Sequence, residues 1–214
     1  MKVFVVGANG QIGRQLVRLL HDSEEHTVRA MVRKKEQVAF FEKSGVETVV
    51  ASLEEAVDEI AQAAKGCDAV VFTAGSGGQT GPDKTLLVDL DGAVKTVEAA
   101  EQLGIRRFIM VSAIQAHRRE NWNAEIKSYY VGKHYADKML EQSKLTYTII
   151  RPGGLLNEPG TGKVAAAENL VRKSIPREDV AYTIMIALNE EHTFRRSFDL
   201  TSGDTPISIA LTRI

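Results

Sequence analysis

An α/β chain built on a doubly wound parallel sheet is predicted by three observations. Short runs rich in Val, Ile and Phe alternate with amphipathic stretches long enough to be crossover helices. Glycines repeatedly close those stretches. The first run, Val3-Phe4-Val5-Val6, passes directly into Gly7-Ala8-Asn9-Gly10-Gln11-Ile12-Gly13 and then into a helical pattern. Short apolar strands joined by helices are what a parallel sheet covered on both faces requires.

The elements follow in order. Ile12, Leu16, Val17 and Leu20 fall at helical spacing within Gln11 to Leu20. Thr27 to Val32 reads as the second strand, Glu36 to Lys43 as a short helix stopped by Gly45, and Val46 to Val50 as the third strand. A third helix over Leu53 to Ala64 is stopped by Gly66 before strand four, Ala69 to Thr73. The Gly-rich loop from Gly75 to Pro82 interrupts the alternation. A long helix from about Asp83 to Leu103, closed by Gly104, then leads to strand five, Arg107 to Val111. Ala116 to Ala124 is polar and irregular, Ser128 to Gln142 is helical, and Tyr147 to Ile150 is strand six. Arg151-Pro152-Gly153-Gly154 ends it, with the proline expected to stop the ladder. Beyond 154 the pattern loosens: Leu155 to Leu170, rich in Gly and Ala, reads as loop or short helix, Asp179 to Leu188 as helix, and Ser197 to Leu200 as a late strand. Arg177-Glu178-Asp179 would open that helix, with its acids at the favourable positive end. No linker or repeat divides the chain. One domain over 1–214 is expected, with a small substrate-side part from about 154.

Three glycines spaced as Gly7, Gly10 and Gly13 after a strand suit the pyrophosphate of a dinucleotide. Gly7 allows a tight strand-to-helix turn, Gly10 lets the backbone approach phosphate without a Cβ, and Gly13 allows close helix–sheet packing. Gly7, Asn9, Gly10, Gln11, Ile12 and Gly13 are therefore the expected phosphate contacts, since free amides and the dipole at a helix N-terminus favour an anion. The end of strand two reports on the adenosine ribose. An NAD site commonly places an acid there, but Val32 is followed by Arg33-Lys34-Lys35. Arg33, with Lys34 as a second, can pair with a 2′-phosphate, which predicts NADP(H) in preference to NAD(H). Such charge-assisted contacts are worth roughly 1.5–3 kcal/mol each. Ser52 after strand three can bond the adenine amino group or cap a helix beginning at Leu53, with Glu55 completing a capping box; capping is the favoured role. Ala74-Gly75 offers small backbone beside the nucleotide.

Composition bounds the remaining classes. A formal charge of -1 lacks the concentrated basic surface that nucleic-acid backbones demand. The single cysteine, Cys67, excludes an internal disulfide and a multi-cysteine zinc site, and no metal is expected. No apolar stretch approaches a membrane span and no basic leader precedes the first strand, so a cytoplasmic protein is expected, monomeric or homodimeric, with a small-molecule substrate.

Reacting groups are sought at the carboxyl edge of the sheet. Tyr129 and Lys133 are four residues apart on one helical face, and a nearby ammonium would favour the ionised phenol. Lys133 could also hold a nicotinamide ribose. Ser112, just past strand five, could bind a substrate oxygen. Tyr130 and His134 form an equally spaced pair on the adjacent face. The loop from Ala113 to Lys127 could close over the nicotinamide, with His117, Arg118, Arg119 and Trp122 as candidate contacts; for Trp122, loop anchor and ligand contact both stay open.

The chain resembles the atypical branch of the short-chain dehydrogenase/reductase superfamily, small NAD(P)-binding proteins with a Rossmann fold that include NmrA-like, biliverdin/flavin reductase-like and epimerase-like members. The matching pieces are V-V-G-A-N-G-Q-I-G-R at 5–14, A-M-V-R-K at 30–34, G-C-D-A-V-V-F-T-A-G at 66–75, R-F-I-M-V-S at 107–112, Y-Y-V-G-K at 129–133, Y-T-I-I-R-P-G at 147–153 and R-E-D-V-A at 177–181. The resemblance implies an NADP(H)-dependent oxidoreductase or epimerase-like enzyme that moves hydride to or from a small carbonyl, alcohol or flavin-like substrate. Its Tyr-x-x-x-Lys falls on Tyr129 and Lys133. Ser52 replaces the acid often found after strand three, and Ala113 stands where a second hydroxyl often follows strand five. A non-catalytic NADP(H) sensor or regulatory protein is the alternative that Ala113 keeps open.

Overall fold

The structure is a computed structural model describing residues 1–214. Its strands are β1 (Lys2–Val6), β2 (Thr27–Val32), β3 (Glu47–Val50), β4 (Ala69–Phe72), β5 (Arg107–Val111), β6 (Thr146–Pro152), β7 (Gly154–Leu156), β8 (Lys163–Ala167), β9 (Ser174–Pro176), β10 (Arg196–Ser202) and β11 (Thr205–Pro206). Nine of them form one sheet in the order β11-β8-β10-β6-β5-β4-β1-β2-β3. From β3 across to β10 every neighbouring pair is parallel; β8 runs antiparallel to both β10 and β11. The order reverses direction between β1 and β4, the switch point at which a doubly wound sheet opens a crevice.

Helices α1 (Gln11–His21), α2 (Val38–Glu42), α3 (Val57–Ala64), α4 (Pro82–Lys84), α5 (Gly92–Leu103), α6 (Lys127–Gln142), α7 (Arg177–Ala187) and α8 (Ile207–Leu211) supply the covering layers. Side chains alternate along each strand, and β1 shows the result. Val3 and Val5 join α1 and α7 in one core, while Phe4 and Val6 join α3 and α5 in the other. No helix is long and apolar enough to cross a membrane.

Several boundaries depart from the sequence reading. The third helix begins at Val57, not Leu53. The Ser52 hydroxyl accepts from the Glu54 amide at 3.1 Å and closes a turn, and Ala56 is the residue at the helix N-cap, so the expected capping box is absent. The stretch from 83 to 103 is helical throughout but passes from α4 into a π-helical segment, Thr85–Asp91, before α5. Pro152 does not stop strand six. It has no N–H to give, but its carbonyl accepts from Ile114 at 3.0 Å and it lies opposite Leu200 of β10. Leu155 to Leu170 contains β7 and β8, and Ala165, Ala166 and Ala167 are strand because β10 pairs with them; tertiary pairing outweighs their weak strand preference.

Candidate active site

The glycine loop folds as its spacing demands. Gly7 has φ +80°, and a Cβ there would lie 2.6 Å from the Ala74 amide nitrogen. A Cβ on Gly13 would lie 2.3 Å from the Gly7 carbonyl oxygen, so the first turn of α1 packs on the loop only with glycine present. The Gly10 amide donates to Gly7 at 2.9 Å, whereas the amides of Gln11, Ile12 and Gly13 have no backbone acceptor, and no acid occupies the first turn of α1. These unpaired donors fit the pyrophosphate of a dinucleotide.

The loop forms one wall of a cleft of about 320 Å³ over the carboxyl ends of β1, β2 and β4. Gly7, Asn9, Gly10, Arg33, Ser52, Leu53, Ala74 and Gly75 line it. Gln11, Ile12, Gly13 and Lys34 do not: Ile12 and Gly13 are buried in the core, and the side chains of Gln11 and Lys34 are exposed outside the cleft. The lining also includes Gln37, Glu54, Thr73 and Ser76, which sequence reasoning did not single out. Gln37 accepts from the Arg33 and Lys34 amides at 3.2 Å and shapes the turn that presents Arg33. The Glu54 carboxylate pairs with Lys84 at 2.6 Å, which offsets the one acidic charge on the wall. Asn9 is held by Arg14 at 2.7 Å, whose guanidinium lies over Phe40.

The second group of residues meets at the exits of β4 and β5. Ser112 follows β5, its amide bonded to the Ile150 carbonyl at 2.8 Å, and its buried hydroxyl has no partner in the protein. Lys133 reaches from α6 to the Val111 carbonyl at 3.3 Å and the Ala74 carbonyl at 3.5 Å, joining the hydroxyl end to the nucleotide wall. Its ammonium lies 5.8 Å from the centre of the Tyr129 ring. Tyr129 is half-buried on α6 and packs against Ala113, Ala116 and Tyr130. The structure therefore places Ser112, Tyr129 and Lys133 at one edge.

Asp89 was absent from the sequence reading. It lies in the π-helical segment with 0% exposure, 3.2 Å from the Lys133 ammonium, and accepts from the Ser76 amide at 2.9 Å. Burial by itself would depress Lys133, but Asp89, with Tyr129 and Asp137 adding to it, outweighs that and holds the ammonium above the ordinary lysine value. The same carboxylate alters Tyr129. Burial, with Asp89 adding to it, pushes the phenol up against the opposing effect of Lys133. This corrects the expectation that Lys133 makes Tyr129 more acidic: the ammonium is already matched by a carboxylate, and the phenol stays protonated at neutral pH. The available signal was a lone acid in the buried stripe Thr85, Asp89, Ala93, Thr96, where an unpaired charge would not be tolerated.

Several of the remaining candidates are engaged within the protein. Trp122 donates to the Ala116 carbonyl at 3.1 Å and stacks on Tyr130, the anchoring role. His134 bonds the same carbonyl, and His117 bonds Asn169 at 2.7 Å. Arg151 is buried against Asp137 at 2.8 Å, and Cys67 is buried, its thiol pushed up by that burial.

The fold is Rossmann-type, and the family and structural matches identify an NAD(P)-binding protein of the oxidoreductase-like class. The chain belongs to the NAD(P)H-binding family, whose model matches residues 7–191. It is 65% identical, over the whole of both chains, to a Bacillus subtilis protein named as the uncharacterized sugar epimerase YhfK. A crystal structure from Lactococcus lactis described as the oxidoreductase ylbE superposes with TM-score 0.91 at 35% identity, covering 100% of this chain and 96% of that one. A solved protein from Bacillus halodurans with the working name NAD-dependent epimerase/dehydratase superposes at 0.94 with 43% identity over all of both chains.

Proposed function

We propose that the chain is an NADP(H)-preferring reductase of small carbonyl compounds, with Ser112, Tyr129 and Lys133 as its reacting set. The observation that carries this reading is Lys133, which spans from the nucleotide wall at Ala74 to the strand exit beside Ser112. When bound, the nicotinamide supplies hydride to the carbonyl carbon. Ser112 has an unsatisfied hydroxyl to donate to the carbonyl oxygen, and Tyr129 supplies the proton that completes the alcohol. Lys133, fixed by Asp89, keeps its charge for the ribose and for placement of Tyr129. A protonated phenol favours the reducing direction; epimerisation through oxidation of an alcohol would need Tyr129 to accept a proton first. The working names of the relatives, epimerase and oxidoreductase, accord with hydride chemistry of either kind. Arg33 at the β2 exit, with Glu54 compensated by Lys84, supports preference for the 2′-phosphate. Residues from about 154 shape the substrate side within one domain.

Tyr129→Phe tests the assignment. Turnover of a reducible panel of quinones, flavins and small aldehydes should fall about 10²–10⁴-fold, while NADPH affinity by titration calorimetry stays nearly constant. Unchanged turnover overturns the role of Tyr129, and parent protein that binds NADPH yet reduces nothing favours a sensor. The pH profile carries a sign: because the phenol is raised, its protonated form persists through neutral and mildly alkaline pH, and the reduction rate should fall only above the ordinary tyrosine value near 10.

A further inference from the structure

We propose that Arg172 is the anion-recognising residue of the substrate site, so that the substrate is a carbonyl compound bearing a carboxylate. This rests on the reading of Ser112, Tyr129 and Lys133 given above. Residues 168–173 form a strap across the exits of β5, β6 and β10. Leu170 accepts from Gln115 at 2.9 Å and donates to Asp199 at 3.1 Å, and Asn169 bonds His117. Lys173 accepts from Gly154 at 3.2 Å, and its carbonyl lies so close to Gly153 that a Cβ there would clash at 1.9 Å. The strap is thus fixed at several points against the edge that carries Ser112.

Arg172 projects from this strap onto Tyr130, the residue after Tyr129. It donates to the Tyr130 hydroxyl and, at 2.6 Å, to the Asn121 carbonyl. Both partners are neutral, and no acidic side chain pairs with it. Two of the roughly five N–H donors of a guanidinium are used, which leaves donors and a full charge for a carboxylate. The guanidinium carbon lies 5.1 Å from the Tyr130 ring centre, and that ring lies 5.8 Å from Tyr129. One aromatic ring therefore separates the cation from the proton donor. Beneath that face Ala113, Ala116 and Tyr130, with Trp122 and Tyr129 against them, form a small packed apolar cluster. Ala113, where a second hydroxyl was expected, contributes to that apolar character.

The experiment uses the full chain saturated with NADP⁺ and a matched pair of probes, 4-(hydroxymethyl)benzoate and 4-(hydroxymethyl)benzamide, in titration calorimetry. The benzoate should bind about tenfold tighter, a gap at the low end for charge-assisted contacts because Arg172 is open to solvent. Arg172→Gln should abolish the gap and Arg172→Lys should retain part of it. In the parent, the gap should shrink as salt rises from about 0.05 to about 0.5 M. Equal binding of the two probes, binding of neither, a gap that survives Arg172→Gln or one indifferent to salt overturns the proposal. The hydride reading fails separately: a carboxylate-dependent gap in a protein that cannot reduce 4-carboxybenzaldehyde with NADPH sinks the reductase assignment and leaves Arg172 standing.

Discussion

The two ends of the candidate site are built from different materials. The nucleotide end is made largely of backbone: a glycine turn, unpaired amides at the start of α1, and small residues at the β4 exit. The reactive end is made of side chains brought together from distant positions, Ser112 from β5, Lys133 and Tyr129 from α6, and Asp89 from the π-helical segment. A backbone-made site tolerates no added carbon, while a side-chain-made site depends on charge balance. The substitutions below separate those two dependences.

The largest effect on nucleotide binding is expected at Gly13. In Gly13→Ala the new Cβ would meet the Gly7 carbonyl at 2.3 Å and force the loop from α1. NADPH affinity measured by fluorescence titration should fall by about two orders of magnitude or more, since the amides that would hold the phosphates lose their alignment. Retained affinity would show that the backbone end is softer than its packing indicates.

Asp89→Asn probes the other material. It leaves the Lys133 ammonium buried without its carboxylate, and breaking such a pair typically costs about 3–5 kcal/mol of stability. Urea unfolding should show a loss of unfolding free energy of that order. A shift under about 1 kcal/mol would mean that the pair behaves as if solvated. Arg33→Ala should have the mildest consequence: a preference for NADPH over NADH of about tenfold in the parent, shrinking toward parity with little change in NADH affinity. Equal affinities in the parent would overturn the reading of the β2 exit.

The same difference explains what could be read without a structure. Glycine at 7, 10 and 13 reports a local backbone requirement, so the strand-to-helix turn was legible from spacing alone, and β5 was read with its observed bounds. Asp89 was not, because its meaning lies in a partner 44 positions away that only the packing of α6 on the π-helical segment brings near. The direction of the Tyr129 shift was misread for that reason: the neighbouring ammonium was visible and its counter-ion was not. β8 was missed because Ala165, Ala166 and Ala167 carry no strand preference of their own and become strand through β10. The strap at 168–173 has no local pattern either, being held by Gln115, His117 and Asp199.

Asp199 also sets an order of assembly. Its fully buried carboxylate accepts from the Gln115 amide and side chain and from the Leu170 amide, and it steadies Gln115 in a left-handed conformation, φ 62°. Every residue lining the nucleotide cleft lies at or before Val88, whereas this anchor arrives only with β10. During synthesis the cofactor end is complete in sequence more than a hundred residues before the substrate end acquires its fastening. A chain interrupted ahead of β10 would keep the whole lining of the cleft and lose the carboxylate that fastens Gln115 and Leu170.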